Sequence, residues 1–144
     1  MRERIVVVAA VVERQGEFLV ARRLEGTHLA GYWEFPGGKV LPGETHEQAL
    51  RREIVEELNT GIAALQKIFS TSHAYPERIV DLHFYRGELT APPHPALGQE
   101  LRWITRAEFA SLEFPQADAE LIARLVNDQR DQRDQRDQRD QQGQ

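Results

Sequence analysis

Three carboxylates at helical spacing offer the clearest chemistry in this sequence of 144 residues. Glu53, Glu56 and Glu57 occupy positions i, i+3 and i+4, so on a helix they project from one face with Cβ atoms about 5–6 Å apart. Such like charges destabilise a helix by roughly 0.2–0.5 kcal/mol per pair. Mg²⁺ would reverse the effect, because it binds carboxylates and phosphate oxygens. The triplet suggests a metal site, although a solvated acidic run has the same short pattern.

Fixed spacings around the triplet make the metal reading stronger. The series consists of Gly38, Glu44, Arg52, Glu53, Ile54, Glu56 and Glu57. It resembles the Nudix box, G-x5-E-x7-R-E-U-x-E-E-x-G-U, in which U is a bulky apolar residue. Asn59 stands where the box has its second glycine, and Thr60 stands at the last apolar position. Asparagine tolerates the left-handed conformation of a helix end, so the first departure is mild.

The resemblance continues outside the box and spans residues 4 to about 126. The stretches "ARRLEGTHLAGYWEFPGGK" and "HAYPERIVDLHF" are similar to those of MutT-type nucleoside triphosphate diphosphatases. This resemblance implies an α+β fold, the Nudix α/β/α sandwich with a mixed β-sheet. It also implies hydrolysis of nucleoside triphosphates to monophosphate and pyrophosphate, with 8-oxo-dGTP as the expected substrate and nucleotide-pool sanitation as the expected role.

The resemblance also assigns roles along the helix. Mg²⁺ or Mn²⁺ is expected at four ligands, which are the carbonyl of Gly37 and the carboxylates of Glu53, Glu56 and Glu57. Arg52 is expected to orient Glu53 through a bidentate contact, a task suited to the planar guanidinium. Glu44 is either an outer ligand or a residue that orients the start of the helix. Glu53 is the expected general base, and Glu100, which precedes Trp103, is the alternative unless it is a plain surface charge.

Substrate contacts are implied at eight positions, which are Arg23, His28, Glu34, Phe35, Pro36, Gly37, Arg78 and Asp118. Arg23 is expected to contact phosphate, or else to form a surface salt bridge. His28 is expected near the substrate, or else in solvent. Residues 34–37 are expected to line the pocket through backbone groups and one aromatic face, although Phe35 fits a plain core position as well.

Asp118 leaves the base preference open. MutT proteins carry an asparagine there that both donates to and accepts from 8-oxoguanine, whereas an ionised aspartate only accepts. A carboxylate suits cytosine N4 or guanine N1 and N2, so a CTP or 5-substituted dCTP diphosphatase is the alternative function. Asp118 could also cap the last helix. A non-catalytic nucleotide sensor is a further alternative, although every acid of the box is present.

The elements that must position these residues follow from periodicity and turn residues. A hairpin is predicted around Gln15-Gly16, and a helix over residues 45–59, where Thr45 and Gln48 form a capping box. Two long strands, 63–75 and 78–89, are predicted to pair antiparallel across Pro76-Glu77. A strand at 101–105, a helical turn at 106–112 and an amphipathic helix at 117–126 complete the pattern, which lacks βαβ alternation.

Composition sets outer bounds on function. The absence of cysteine excludes a thiol nucleophile and a thiolate zinc site, and the net charge of −5 argues against binding to nucleic acid polymers. No apolar run reaches the length of a membrane span and no secretory signal is recognisable, so a cytoplasmic protein is expected. Residues 1–127 are predicted to form one Nudix domain, as a monomer or a homodimer. The Asp-Gln-Arg repeats at 128–144 are predicted to be disordered, with a helical extension as the alternative.

Overall fold

The computed structural model describes residues 2–128, which form two β-sheets and two α-helices. The strands are β1 Glu3–Val11, β2 Glu13–Arg14, β3 Glu17–Arg22, β4 Trp33–Glu34, β5 Gly37–Lys39, β6 Ile62–Ala74, β7 Arg78–Leu89 and β8 Leu101–Thr105. Helix α1 spans His46–Leu58, and α2 occupies residues 119–128. Short 3-10 helices cover Arg106–Ser111 and Gln116–Asp118.

A mixed sheet forms the middle layer of the domain. Its strand order is β5-β1-β7-β6, with β1 parallel to β7 from Glu3↔Arg78 onward and both outer strands antiparallel to their neighbours. Because successive side chains of a strand alternate, Val8 and Ala10 of β1 pack under α1, whereas Ala9 packs in the cluster that contains residues of α2. Helices therefore cover both faces, which confirms the predicted α+β sandwich with a mixed sheet.

The second sheet contains the predicted early hairpin, but its first strand is not the one that was predicted. Gln15 and Gly16 have φ values of 53° and 79°, the positive pair that a tight two-residue hairpin requires, and they join β2 to β3. The long first strand β1 is not the partner, since it belongs to the mixed sheet. The chain leaves one sheet for the other at Val12, whose carbonyl accepts a hydrogen bond from the Leu19 N–H at 3.1 Å. Strand β3 then pairs with β4 and β8.

Helix α1 is built as the sequence predicts. The Thr45 hydroxyl accepts from the Gln48 N–H at 3.1 Å, and the Gln48 side chain accepts from the Thr45 N–H at 2.9 Å. The helix ends at Asn59, which adopts the left-handed conformation with φ 54° and ψ 37°. Thr60 is buried, and its hydroxyl donates to the Ala91 carbonyl at 3.2 Å. The two departures from the box therefore both fit the local backbone.

The remaining elements largely follow the predictions. The antiparallel pairing of β6 with β7 is confirmed, as are the strand at β8 and the short helical turn after it. Within residues 2–128, no helix has the length and apolarity that a membrane crossing requires. Helix α2 is described as far as Asp128, and the boundary between domain and tail stays a prediction. Residues 129–144 lie outside the described residues, and disorder of the repeats remains a prediction.

Candidate active site

A cavity of about 290 Å³ opens on the α2 side of the mixed sheet. Its apolar wall includes Leu82, Phe84 and the ring of Phe35. Asp118 is among its lining residues, as are Gly37 and Glu57 from the edge that meets α1. Apolar walls with a few polar groups are typical of sites for small organic ligands.

Most of the predicted substrate contacts meet in this cavity. Those that line it are Arg23, His28, Glu34, Phe35, Gly37, Arg78 and Asp118. Pro36 is not brought to the cavity: it is buried, and its carbonyl accepts a hydrogen bond from the Ala10 N–H at 2.8 Å. Phe35 was predicted either to line the pocket or to belong to the core, and it does both, because it lines the cavity and is part of the core cluster.

The glycine pair allows β5 to approach its neighbours closely. Gly37 lies opposite Ala9 of β1, and a Cβ atom at Gly37 would overlap the carbonyl of Val8. A Cβ atom at Gly38 would instead overlap the carboxylate of Glu53. With no side chain in the way, the Gly37 N–H donates to Glu57 Oε2 at 3.1 Å. The pair thus brings a strand edge against the acidic face of α1.

Arg52 organises the acidic residues, although not as predicted. Its bidentate contact is with Glu44, from Nε to Oε2 at 2.7 Å and from Nη2 to Oε1 at 2.9 Å. Glu53 receives one hydrogen bond, from Nη1 to Oε1 at 2.9 Å. Arg52 Nη2 also donates to the Lys39 carbonyl at 3.0 Å. The bidentate contact fixes the plane of the guanidinium, and Glu53 is oriented from there.

The contacts of Glu44 favour a role in orienting the start of α1 over a role as an outer metal ligand. Besides the two contacts with Arg52, it accepts a hydrogen bond from the Leu41 N–H at 2.8 Å. These hydrogen bonds from Arg52 and Leu41 lower the pKa of Glu44, because they stabilise its charged form. With its oxygens engaged in this way, Glu44 anchors the turn before α1.

Burial and mutual repulsion dominate the electrostatics of the acidic face. Burial is the main cause that raises the pKa of Glu57 to about 8, and the carboxylates of Glu34 and Glu53 raise it further. Burial also raises the pKa of Glu53, against the lowering effect of Arg52. Glu56 is more exposed, and Arg52 Nη1 lies 3.4 Å from its Oε2. A cation at this face would offset the repulsion and favour the ionised carboxylates.

The donor set fits a hard divalent cation. Glu53, Glu56 and Glu57 offer carboxylate oxygens, and Gly37, whose N–H contacts Glu57, offers a backbone carbonyl. Carboxylate and carbonyl oxygens are ligand types that hard divalent cations prefer. Across residues 2–128, no three acidic or histidine side chains already converge as a closed ligand set. The contacts with Arg52 and with the Gly37 N–H hold Glu53 and Glu57 to separate partners. Mutual repulsion between the charges acts in the same direction.

Arg23 is held on the cavity wall by two short contacts. Its Nη1 lies 2.6 Å from Glu34 Oε2, and its Nε donates to the His28 carbonyl at 2.6 Å. Glu34 therefore faces the cavity with its side chain, not only with backbone groups as predicted. Burial raises the pKa of Glu34, while Arg23 lowers it. The ring of His28 packs edge-on against Tyr75, with ring centroids 5.7 Å apart.

Asp118 is a buried carboxyl in the cavity wall. It is the last residue of the 3-10 helix Gln116–Asp118 and directly precedes α2, so its role as a helix cap stays a prediction. Only 6% of the residue is exposed to solvent. Burial and the nearby charge of Glu34 raise the pKa of Asp118 to about 7, against the effect of Arg23. The residue therefore titrates near neutral pH.

Sequence reasoning missed two residues of this region, and it left the role of a third, Glu100, open. Tyr75 lines the cavity, and burial together with the charge of Asp118 raises its pKa. Its only signal was an aromatic residue directly before the turn at Pro76. Gln99 lines a second cavity of about 170 Å³, which shares Arg23, Glu34 and Glu57 with the first. Glu100 lines neither cavity, is 52% exposed and lies 3.6 Å from Arg22.

Comparison with known proteins identifies the family. Residues 7–124 match the NUDIX domain family, which is most of the chain. The chain is a Nudix hydrolase. It is 41% identical over 133 residues to an 8-oxo-dGTP diphosphatase of Haemophilus influenzae, covering 89% of this chain and 96% of that protein. It is 38% identical over 122 residues to a CTP pyrophosphohydrolase of Escherichia coli, covering 81% and 86% respectively.

Solved structures agree with this assignment to the Nudix hydrolases. A MutT structure from a study of Aliivibrio salmonicida and Vibrio cholerae superimposes with a TM-score of 0.74 at 29% identity, covering 88% of this chain and 99% of that one. The E. coli ORF135 protein superimposes with a TM-score of 0.74 at 35% identity, covering 85% and 88%. The predicted fold, family and hydrolase class are therefore confirmed for this Nudix hydrolase.

Proposed function

We propose that this Nudix hydrolase converts deoxynucleoside triphosphates, with 8-oxo-dGTP as the preferred substrate, to monophosphate and pyrophosphate. One observation carries the proposal: a single cavity is lined both by Asp118, a buried titratable group suited to a base edge, and by Glu57 of the acidic face. Similarity to an 8-oxo-dGTP diphosphatase, which covers 89% of this chain and 96% of that protein, supports the choice of substrate. The role would be to remove oxidised nucleotides from the pool.

The acidic face would hold Mg²⁺, or Mn²⁺, through the carboxylates of Glu53, Glu56 and Glu57 and the carbonyl of Gly37. When bound, the ion supplies charge neutralisation for the phosphates and makes a water more acidic. Glu53 would accept the proton of the attacking water. The water oxygen joins the β-phosphorus, the bond between that phosphorus and the bridging oxygen to the α-phosphate breaks, and monophosphate and pyrophosphate separate.

Residues outside the acidic face would bind and orient the nucleotide. Arg23 would contact a phosphate after exchanging its carboxylate partner, since its Nη1 lies 2.6 Å from Glu34 Oε2. The ring of Phe35 offers an apolar surface to the flat base. Asp118 and Arg78 line the same cavity and would flank the base edge. Arg52 and Glu44 would act indirectly, by fixing Glu53.

A panel of nucleotides tests the proposal. Pyrophosphate release would be measured in Mg²⁺ for 8-oxo-dGTP, dGTP, CTP, dCTP and ADP-ribose, each repeated with excess chelator. We expect the highest kcat/KM for 8-oxo-dGTP and loss of release in chelator. Preference for ADP-ribose, or turnover that persists without divalent cations, would refute the proposal. A protein that binds nucleotides but releases nothing would instead be a sensor.

CTP or a 5-substituted dCTP is the second candidate substrate, and Asp118 is the observation that favours it. An ionised carboxylate accepts hydrogen bonds only, which matches the amino group of cytosine N4. Similarity to a CTP pyrophosphohydrolase over 81% of the chain points the same way. In the nucleotide panel, a higher kcat/KM for CTP or dCTP than for 8-oxo-dGTP would select this candidate.

A further inference from the structure

The loop between β7 and β8, residues 90–100, closes the C-terminal end of α1. The His94 N–H donates to the Leu58 carbonyl at 2.9 Å, and the Ala96 N–H donates to the Glu57 carbonyl at 3.1 Å. The last carbonyls of a helix have no partner within the helix, so donors must come from elsewhere. Here the loop supplies them.

Gln99 adds a side-chain contact to this closure. It is 7% exposed, its Nε2 donates to the Glu57 carbonyl at 2.8 Å, and its Oε1 accepts from the Leu97 N–H at 2.9 Å. Both ends of the buried amide are therefore engaged, which fixes its orientation. The contact joins residues that are 42 positions apart in the sequence.

Both the side chain and the backbone carbonyl of Glu57 are therefore held by hydrogen bonds. Its carboxylate accepts from the Gly37 N–H at 3.1 Å, and its backbone carbonyl accepts from both Gln99 and Ala96. A carboxylate in the last turn of a helix faces the negative end of the helix dipole. No basic residue stands in the last turn of α1 to offset that charge. Donors aimed at the terminal carbonyls reduce the negative potential that Glu57 experiences.

We propose that Gln99 is a positioning residue for Glu57, which it holds in place for binding of the divalent cation by hydrogen bonding to the Glu57 carbonyl. The inference rests on the proposed function, in which Glu57 is a ligand. Neither the spacing of the acidic residues nor the comparisons assign any role to Gln99. Partners that orient a ligand typically change metal affinity about 10–100-fold when they are removed.

Binding of Mn²⁺ alone to the full chain tests the inference without any turnover. Electron paramagnetic resonance counts free Mn²⁺, and Gln99→Met replaces the amide by an apolar side chain of similar length. We expect the Kd for Mn²⁺ to rise about 10–100-fold. With saturating metal, kcat should fall while KM for the nucleotide stays near the wild-type value. Gln99→Glu, which keeps the acceptor for Leu97 and loses the donor to Glu57, should also weaken Mn²⁺ binding.

Thr60→Val is the matched control, because it removes another side-chain contact to the same loop, the hydrogen bond to Ala91, without touching Glu57. It should lower Tm and leave the Kd for Mn²⁺ unchanged. Equal Mn²⁺ affinity in the wild type and both Gln99 variants would overturn the inference, as would an equal loss in Thr60→Val. If the wild type itself bound no Mn²⁺, the proposed function would fail instead.

Discussion

Glu53 is the residue whose removal should affect catalysis most. Gln keeps the size of the side chain but cannot accept a proton or balance the charge of a cation. We expect Glu53→Gln to lower kcat by about 10²–10⁴-fold, the range typical of general acid–base groups, with an unchanged circular dichroism spectrum. Steady-state pyrophosphate release is the measurement.

Glu47→Gln is the control on the same helix, because Glu47 is half-exposed and lies 3.6 Å from Arg51, away from the cavity. It should retain wild-type kcat. Turnover of Glu53→Gln within about threefold of wild type, far short of the loss expected for a general base, would remove Glu53 from the mechanism.

Asp118 should make base selection depend on pH. Because its pKa is raised to about 7, the carboxyl gains a proton, and with it a donor, as the pH falls through neutrality. The ratio of kcat/KM for 8-oxo-dGTP to that for dCTP should therefore rise from pH 8 to pH 6. An amide carries a permanent donor and acceptor, so Asp118→Asn should raise the ratio at pH 8 and flatten its pH dependence. A ratio that is the same in both proteins at every pH would exclude Asp118 from base selection.

Substitution of the left-handed residue that follows α1 should change the free energy of unfolding. Asn59 has a φ of 54°, where a Cβ atom without a local polar partner costs about 1–2 kcal/mol. We expect Asn59→Ala to lower the free energy of unfolding by about 1 kcal/mol and Asn59→Gly to leave it equal or slightly higher. Urea denaturation measures both. Equal stability of the Ala and Gly variants would contradict a conformational role.

Local sequence signals predicted the elements whose causes are local. The capping box at Thr45, the apolar repeat and the box spacing all lie within residues 38–60, so α1 was predicted with its acidic face. The early hairpin was placed at the right turn but given the wrong first strand. An unbroken apolar run from Ile5 to Val12 cannot reveal that the chain changes sheets at its end, because both sheets bury the same residue types.

The parts of the site that the sequence did not reveal depend on distant partners. Three contacts depend on how whole elements pack, because packing sets the distance in space between the partners. They are Arg23–Glu34, Arg52–Glu44 and Gln99–Glu57. Side-chain types suggested that Arg52 would bind a carboxylate with its planar fork. They could not decide between Glu44 and Glu53, since both lie within reach once α1 and the turn before it are folded.

At the scale of the molecule, α1 packs on the mixed sheet through an interface that contains two histidines. The rings of His46 and His83 have centroids 4.4 Å apart, and His83 Nδ1 is buried without a hydrogen-bond partner in the described part of the chain. Burial lowers the pKa of His83, and Lys67 and His46 lower it further, against the charge of Asp81. Protonation of His83 therefore opposes folding.

The sign of the pH effect on stability follows from that lowered pKa. His83 contributes full stability above its unfolded value of about 6.5, and the contribution is lost as the pH falls toward its folded pKa. We expect His83→Phe to lose less stability than wild type between pH 8 and pH 5, measured as the urea midpoint. His94→Gln, which changes a histidine outside this interface, should behave like wild type. Parallel losses in all three proteins would exclude His83 as the cause.

Substitution of the two neighbouring glycines of β5, Gly37 and Gly38, should impair the protein for different reasons. A methyl group at Gly37 would meet the Val8 carbonyl and push apart two paired strands, whereas the atoms nearest to one at Gly38 are those of the Glu53 carboxylate. In a saturation library that scores cellular abundance and turnover separately, position 37 should be depleted in both screens and position 38 in turnover alone. Selection at two adjacent glycines would then act on different properties, on folding at position 37 and on catalysis at position 38.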